Sequence, residues 1–132
     1  FPEADHFGAF IQADFDRISL GSLLFPGGFE DDESLERKFS FMESFTHHLN
    51  KQRHTRRNFI YCSSLYIAHL PVDVKNSEDC ENTPGFLLPE QDWLDDIINN
   101  MGYIDAFRQI NRKSDQYTWW ADSEQAEMLD LG

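Results

Sequence analysis

The sequence predicts an α/β (α+β) protein in which a sheet is flanked by helices, and three observations carry that expectation. Two extended runs, "GAFIQADF" (8–15) and "ISLGSLLFP" (18–26), are joined by the polar corner Asp16-Arg17 and read as an antiparallel hairpin. The segment "EDDESLERKFSFMESFTHHLNKQRHTRR" (30–57) places Leu35, Phe39, Met42, Phe45 and Leu49 at helical spacing, which makes one apolar stripe. "NFIYCSSLYIA" (58–68) is too short and too rich in aromatic and β-branched residues for a helix, and it reads as a strand.

Each element has its own local reason. In the first run Ala9, Ile11, Ala13 and Phe15 alternate with Phe10, Gln12 and Asp14, while Pro26-Gly27-Gly28 ends the second. Acids crowd the start of the long helix (Glu30, Asp31, Asp32, Glu33) and bases its end (Lys51, Arg53, Arg56, Arg57), the order that complements the helix macrodipole. The apolar character of the third run on both sides predicts a strand buried on two faces. "PVDVKNSEDCENTPG" (71–85) reads as a long loop. Pro89 in a first turn, a face of Trp93, Leu94, Ile97, Ile98 and Met101, and Gly102 as the stop predict a second helix. Tyr103, Phe107 and Ile110 predict a short third one, and "YTWW" (117–120) a short strand or buried turn. With no repeat, low-complexity tract or linker, residues 1–132 are expected to form a single domain.

Composition narrows the function classes. A chain with 12 Phe, 3 Trp and 40% hydrophobic residues has the material for a packed core, despite a formal charge of −13. That charge, 24 Asp and Glu against 11 Lys and Arg, repels phosphates and anionic lipid, so any nucleic-acid contact has to be local. No run is long enough to span a bilayer and Phe1 opens no signal-peptide pattern, so a soluble, cytoplasmic protein is expected. Cys62 and Cys80 are expected to be reduced thiols. The start at "FPEADHFGAF" reads as part of a longer chain.

Several chemistries lack their patterns. His47 and His48 are adjacent, so on a helix they diverge by about 100° and do not share an ion; no CxxC or HxxxH pair supports zinc. Neither phosphate-binding glycine motif is present, and Ser63 and Ser64 lack the GxSxG elbow of a hydrolase nucleophile. "KQRHTRR" (51–57), with Arg108, Arg112 and Lys113, has two readings: a landing place for phosphates or an acidic partner, or the ordinary cations of a helix C-terminus. Trp119-Trp120 likewise reads either as a stacking platform for bases or as the seal of a core.

The string "GFLLPEQDWLDDIINNMGYIDAFRQINRKSDQYTWW" (85–120) resembles the exonuclease III and AP-endonuclease family, whose pattern runs GFLPEERxWL, GxVDxFR, YTWW. "YCSSLYIAHLPVDVKN" (61–76) is similar to that family's CGDxNIAHxxxDxKN, and "LLFPGG" (23–28) to its YxPxG. The resemblance implies part of a four-layer α/β sandwich of the DNase I-like endonuclease/exonuclease/phosphatase type, with mixed, mostly antiparallel sheets between helices. Residues 1–132 would then be the central to C-terminal part of a domain of about 250 residues, at the upper end of the usual domain range. Such a part is expected to expose unpaired strand edges unless it self-associates.

The departures from the pattern bear on function. Where active members carry an Asp that handles the attacking water and an Asn that orients the phosphate, this sequence has Ser64 and Tyr66; their phosphate-contacting Tyr matches Leu24. These three are the vestigial positions, and no catalytic residue, metal or cofactor is expected. "DESLERKFSFMESFTHHLNKQR" (32–53), "YCSSLYIAH" (61–69) and "DSEQAEMLDLG" (122–132) resemble one branch of the family, the catabolite repression control proteins. That likeness implies a translational repressor of carbon metabolism, acting with the RNA chaperone Hfq at A-rich sites of mRNA and without a membrane. Lys51, Arg53, Arg56 and Arg57 are the candidate RNA or partner contacts. The rival is a Mg²⁺-dependent nuclease or phosphodiesterase of the same fold, with His69 and Asp73 left in its pocket.

Overall fold

Alternating burial along the second strand shows how the sheet is laid down in the computed structural model, which describes residues 9–120. β1 (Phe10–Asp14) pairs antiparallel with β2 (Ile18–Leu23), and β2 pairs in parallel with β3 (Asn58–Cys62), giving the order β1-β2-β3. In β2, Ser19, Gly21 and Leu23 are buried while Ile18, Leu20 and Ser22 are exposed. Parallel neighbours need a crossover, and α1 (Asp32–Gln52) supplies it. Gly21 is a forced choice, because a Cβ there would lie 2.8 Å from the Tyr61 ring and 3.0 Å from that of Phe10.

α1 begins with a reciprocal cap: Ser34 N–H donates to Asp31 Oδ1 at 2.7 Å and Ser34 Oγ accepts from Asp31 N–H at 3.1 Å. Such caps satisfy amide groups that the first turn leaves without helical partners. Its buried face holds Ser34, Lys38, Phe41, Met42, Phe45 and Leu49. The expected stripe is thus right at Met42, Phe45 and Leu49, but Leu35 and Phe39 are half-buried, and Lys38 and Phe41 take the inner positions. Edge-on aromatic contacts, Phe45 to Tyr61 and Phe25 to Phe41, fix the packing.

The opposite face of the sheet departs from expectation. Ile11, Ile18, Leu20 and Ile60 are exposed, so β3 is covered on one face, and β1 and β3 are edges among the described strands.

The chain divides into two compact units, Phe1–Tyr66 and Ile67–Gly132. In the second unit the stretch read as a loop contains a 3₁₀ turn (Pro71–Asp73) and a short helix, α2 (Ser77–Cys80). α3 (Leu88–Asp95) opens with Pro89 in its first turn, as expected, and continues into a π-helical turn, Asp96–Asn100. Gly102 follows at φ 82°. α4 (Ala106–Ile110) is shorter and wetter than its pattern suggested, with Ile110 exposed. Residues 117–120 form no strand, and Trp119 is 47% exposed, so that ring does not seal a core. Cys62 and Cys80 are free thiols. Among the described residues no helix is long and apolar enough to cross a membrane.

Candidate functional site

Because β2 and β3 run in parallel, their C-terminal ends lie at one end of the sheet, with Ser22 opposite Cys62. The three positions that depart from the family pattern therefore fall at the same tip: Leu24, just past β2, and Ser64 and Tyr66, just past β3. Leu24 is 70% exposed and Ser64 is exposed. Before them, the Ser63 hydroxyl is buried and has no hydrogen-bond partner among the described residues.

Tyr66 adopts φ 53°, the left-handed region. Glycine, asparagine and aspartate visit that region readily, whereas other side chains pay roughly 1–2 kcal/mol for it. Lys38 and Phe29 are among the residues that hold it. Lys38 Nζ donates to the Tyr66 carbonyl at 2.8 Å, and the Phe29 ring meets the Tyr66 ring edge-on at 5.7 Å. The Lys38 ammonium also lies 5.4 Å from the centroid of Phe29, a cation–π distance. Gly28, at φ 75°, completes the arrangement, since a Cβ there would approach Lys38 Cδ to 2.9 Å. The tip is thus a fixed backbone shape on a buried lysine, and sequence reasoning found neither Lys38 nor Phe29.

Hard dications take carboxylate and carbonyl oxygens, while positions 64 and 66 offer an alcohol and a phenol. Among the described residues no three His, Cys, Asp or Glu converge on a point.

The predicted basic contacts sit at the other end of the sheet. Asn58 N–H donates to the Arg17 carbonyl at 3.0 Å, which places the β1–β2 turn beside the start of β3. Five strand residues at 3.3 Å each put about 16 Å between that end and the tip. Lys51, Arg53 and Arg56 are exposed there, beside exposed His54 and Arg17. Arg57 is not equivalent to them: Nε donates to Ser19 Oγ at 2.9 Å, Nη2 donates to the Phe15 carbonyl, and Asp14 lies 4.0 Å away. It ties the hairpin turn to β3. Asp14 is held below the ordinary carboxylate value by hydrogen bonds from Ser19 and Gln12, with the Arg57 charge adding to them.

In the second unit the rival's residues have partners of their own. His69 Nε2 lies 2.8 Å from Asp95 Oδ1, and Asp73 Oδ1 accepts from Arg108 Nε at 2.6 Å. Arg108 also donates to the carbonyls of Val72, Lys113 and Gln116, so this cation, grouped above with a phosphate landing place, is an internal clamp. Arg112 and Lys113 are exposed. The string 122–132 lies outside the described residues.

No family model matches the chain. It is 24% identical over 132 residues to recombination repair protein 1 of Drosophila melanogaster, covering 98% of this chain and 19% of that one. It is 26% identical over 120 residues to a DNA-(apurinic or apyrimidinic site) endonuclease of Dictyostelium discoideum, covering 89% and 33%. An AP endonuclease structure from Archaeoglobus fulgidus superposes with a TM-score of 0.80 at 25% identity, covering 94% of this chain and 49% of that one. The chain thus spans about half of that solved structure, and a third or less of these two relatives. Across that span it carries the α/β, DNase I-like fold of the AP endonucleases and exonucleases.

Proposed function

We propose that this chain belongs to a non-catalytic regulator of the catabolite repression control (Crc) type, which represses translation of mRNAs for less preferred carbon sources together with Hfq at A-rich sites. The observation that carries this reading is the tip. Where the family pattern calls for an acid, an amide and a phosphate-contacting tyrosine, the chain has Ser64, Tyr66 and Leu24. Priming water for attack on a phosphodiester takes a positioned base or a metal-bound hydroxide, each lowering the barrier by several kcal/mol. An alcohol of ordinary acidity is not such a base. A net charge of −13 suits a protein that meets RNA through a second, RNA-holding partner, with Lys51, Arg53 and Arg56 as its local contacts and Arg57 shaping that surface from behind.

The rival, a Mg²⁺-dependent nuclease or phosphodiesterase, draws on the names of the relatives. Against it, His69 and Asp73 are tied to Asp95 and Arg108. The full-length protein incubated with abasic-site DNA and Mg²⁺ is expected to leave the DNA intact. Cleavage that disappears on Tyr66→Ala would establish the rival. Co-purification with Hfq is expected to require an A-rich oligonucleotide; equal recovery without it would leave a protein-interaction module with no RNA role.

A further inference from the structure

We infer that the tip of the first unit docks a cationic protein segment bearing an apolar anchor side chain, an assignment that rests on the regulator reading above. Tyr66 is the starting point. A bulky ring on a left-handed backbone persists only where its surroundings impose it, and such outliers cluster at functional contacts. Here a buried lysine and a positive-φ glycine are committed to holding that conformation. Asparagine would occupy φ 53° with less strain, so the ring at this position opposes local preference.

Exposed apolar side chains share this end with Tyr66. Phe29 is 49% exposed and Leu24 is 70% exposed, although both are large hydrophobic side chains. A hollow of about 230 Å³ opens beside Phe29, walled by Pro26, Gly27, Gly28, Glu30 and Ser34. That is below the usual size of a small-molecule site and takes one side chain.

Charge selects the occupant. Glu30, Asp31, Asp32, Glu33 and Glu36 are all exposed at this end of the unit. The cation lining the hollow, Arg37, is paired with Glu33 at 3.0 Å. This field repels a phosphate backbone and attracts Lys and Arg side chains. The opposite, basic end of the same sheet has the reverse preference. The unit therefore presents an acidic, aromatic end for protein and a basic end for phosphate.

The test uses full-length protein with Hfq loaded with an A-rich oligonucleotide. Tyr66→Asn is expected to weaken assembly at least ~10-fold, as for loss of a central aromatic contact, without lowering the Tm. Tyr66→Phe, which keeps the ring, is expected to stay within about 3-fold of wild type. Glu30→Lys with Glu33→Lys should weaken assembly and flatten its salt dependence. A photoreactive benzoylphenylalanine at position 66 should cross-link to protein. Assembly of Tyr66→Asn at wild-type strength overturns the assignment, as does a cross-link to RNA, which would make the occupant a nucleobase. Failure of the wild-type protein to assemble with Hfq under any RNA loading is a separate result: it removes the regulator reading itself, and the docking assignment with it.

Discussion

Lys38 Nζ lies 2.8 Å from the carbonyl oxygen of Tyr66, so an ammonium buried on α1 holds the backbone of a strand tip 28 residues further along. A buried charge is tolerated when it is hydrogen-bonded. The same contact gives the tip a shape that does not depend on a bound ligand. With Ser64 and Tyr66 on it, the tip is a defined surface that presents an alcohol and an aromatic ring.

Lys38→Met keeps most of the stem and removes the ammonium. Hydrogen bonds to charged groups contribute about 1.5–3 kcal/mol, and the Tyr66 carbonyl would lose this donor. A loss of about 2 kcal/mol in urea unfolding is expected. Tyr66→Gly relieves the left-handed strain, so Lys38→Met should cost less in that background. Strictly additive losses would show that the lysine does not act through residue 66.

Arg108 makes the corresponding link in the second unit. Its fork joins Asp73 to the backbone carbonyls of Val72, Asn111, Lys113 and Gln116, and both members of the ion pair are about 15% exposed. Removing one member of a shielded pair strands the other. Arg108→Ala is expected to cost about 3 kcal/mol, and Arg108→Lys more than half of that, because an ammonium lacks the planar fork. A fall in unfolding midpoint smaller for Lys than for Ala, with neither near wild type, is the expected pattern.

These two clamps also show where sequence stops being informative. The hairpin, the span of α1 and its acid-first, base-last order follow from local periodicity and capping, and the structure has them within a few residues. Lys38 was hidden because an isolated lysine in a helical pattern reads as solvated, and its acceptor is remote in the chain. Phe41 was missed for a related reason: a stripe drawn from residue identity cannot fix which few degrees of the helix meet the sheet. The π turn after α3 and the left-handed Tyr66 leave no trace in hydrophobic spacing. At the site, motif alignment located Leu24, Ser64 and Tyr66, but charge counting treated Arg57 and Arg108 as free surface cations when each is bound to its own fold.

Asp14 gives a prediction in pH. Its folded carboxyl titrates below the ordinary value of 3.8 because Ser19 and Gln12 donate to the ionised form and Arg57 is near. A depressed carboxylate stabilises the folded state above its unfolded pKa, and that contribution is lost as pH falls through the folded pKa. The unfolding midpoint of the wild-type protein should therefore drop below pH 3.8 more steeply than that of Asp14→Asn. Parallel acid limbs for the two proteins would show that the Ser19 and Gln12 hydrogen bonds carry no linkage.

The exposed face of the sheet bears on whether these 132 residues pack as part of a larger sandwich, since the chain spans only part of the length of its relatives. Leu20 stands opposite Ile60 in the parallel ladder and opposite Ala13 in the antiparallel one, and Leu20 and Ile60 are 41% and 50% exposed. Leu20→Thr keeps a strand-compatible side chain and gives up little buried surface. In these 132 residues it should change stability by less than about 0.5 kcal/mol, whereas Leu23→Ala, on the buried face, should cost about 2–4. The apolar face, and the edges that β1 and β3 form among the described strands, should also drive association, so light scattering is expected to show mass rising with concentration, and Leu20→Thr with Ile60→Thr reducing it. If a longer protein lays the second layer of the sandwich over this face, Leu20 is buried there. Leu20→Thr should then cost about 1–3 kcal/mol, the transfer cost of burying a hydroxyl without a partner. Equal effects in the two lengths would mean that the face is never covered.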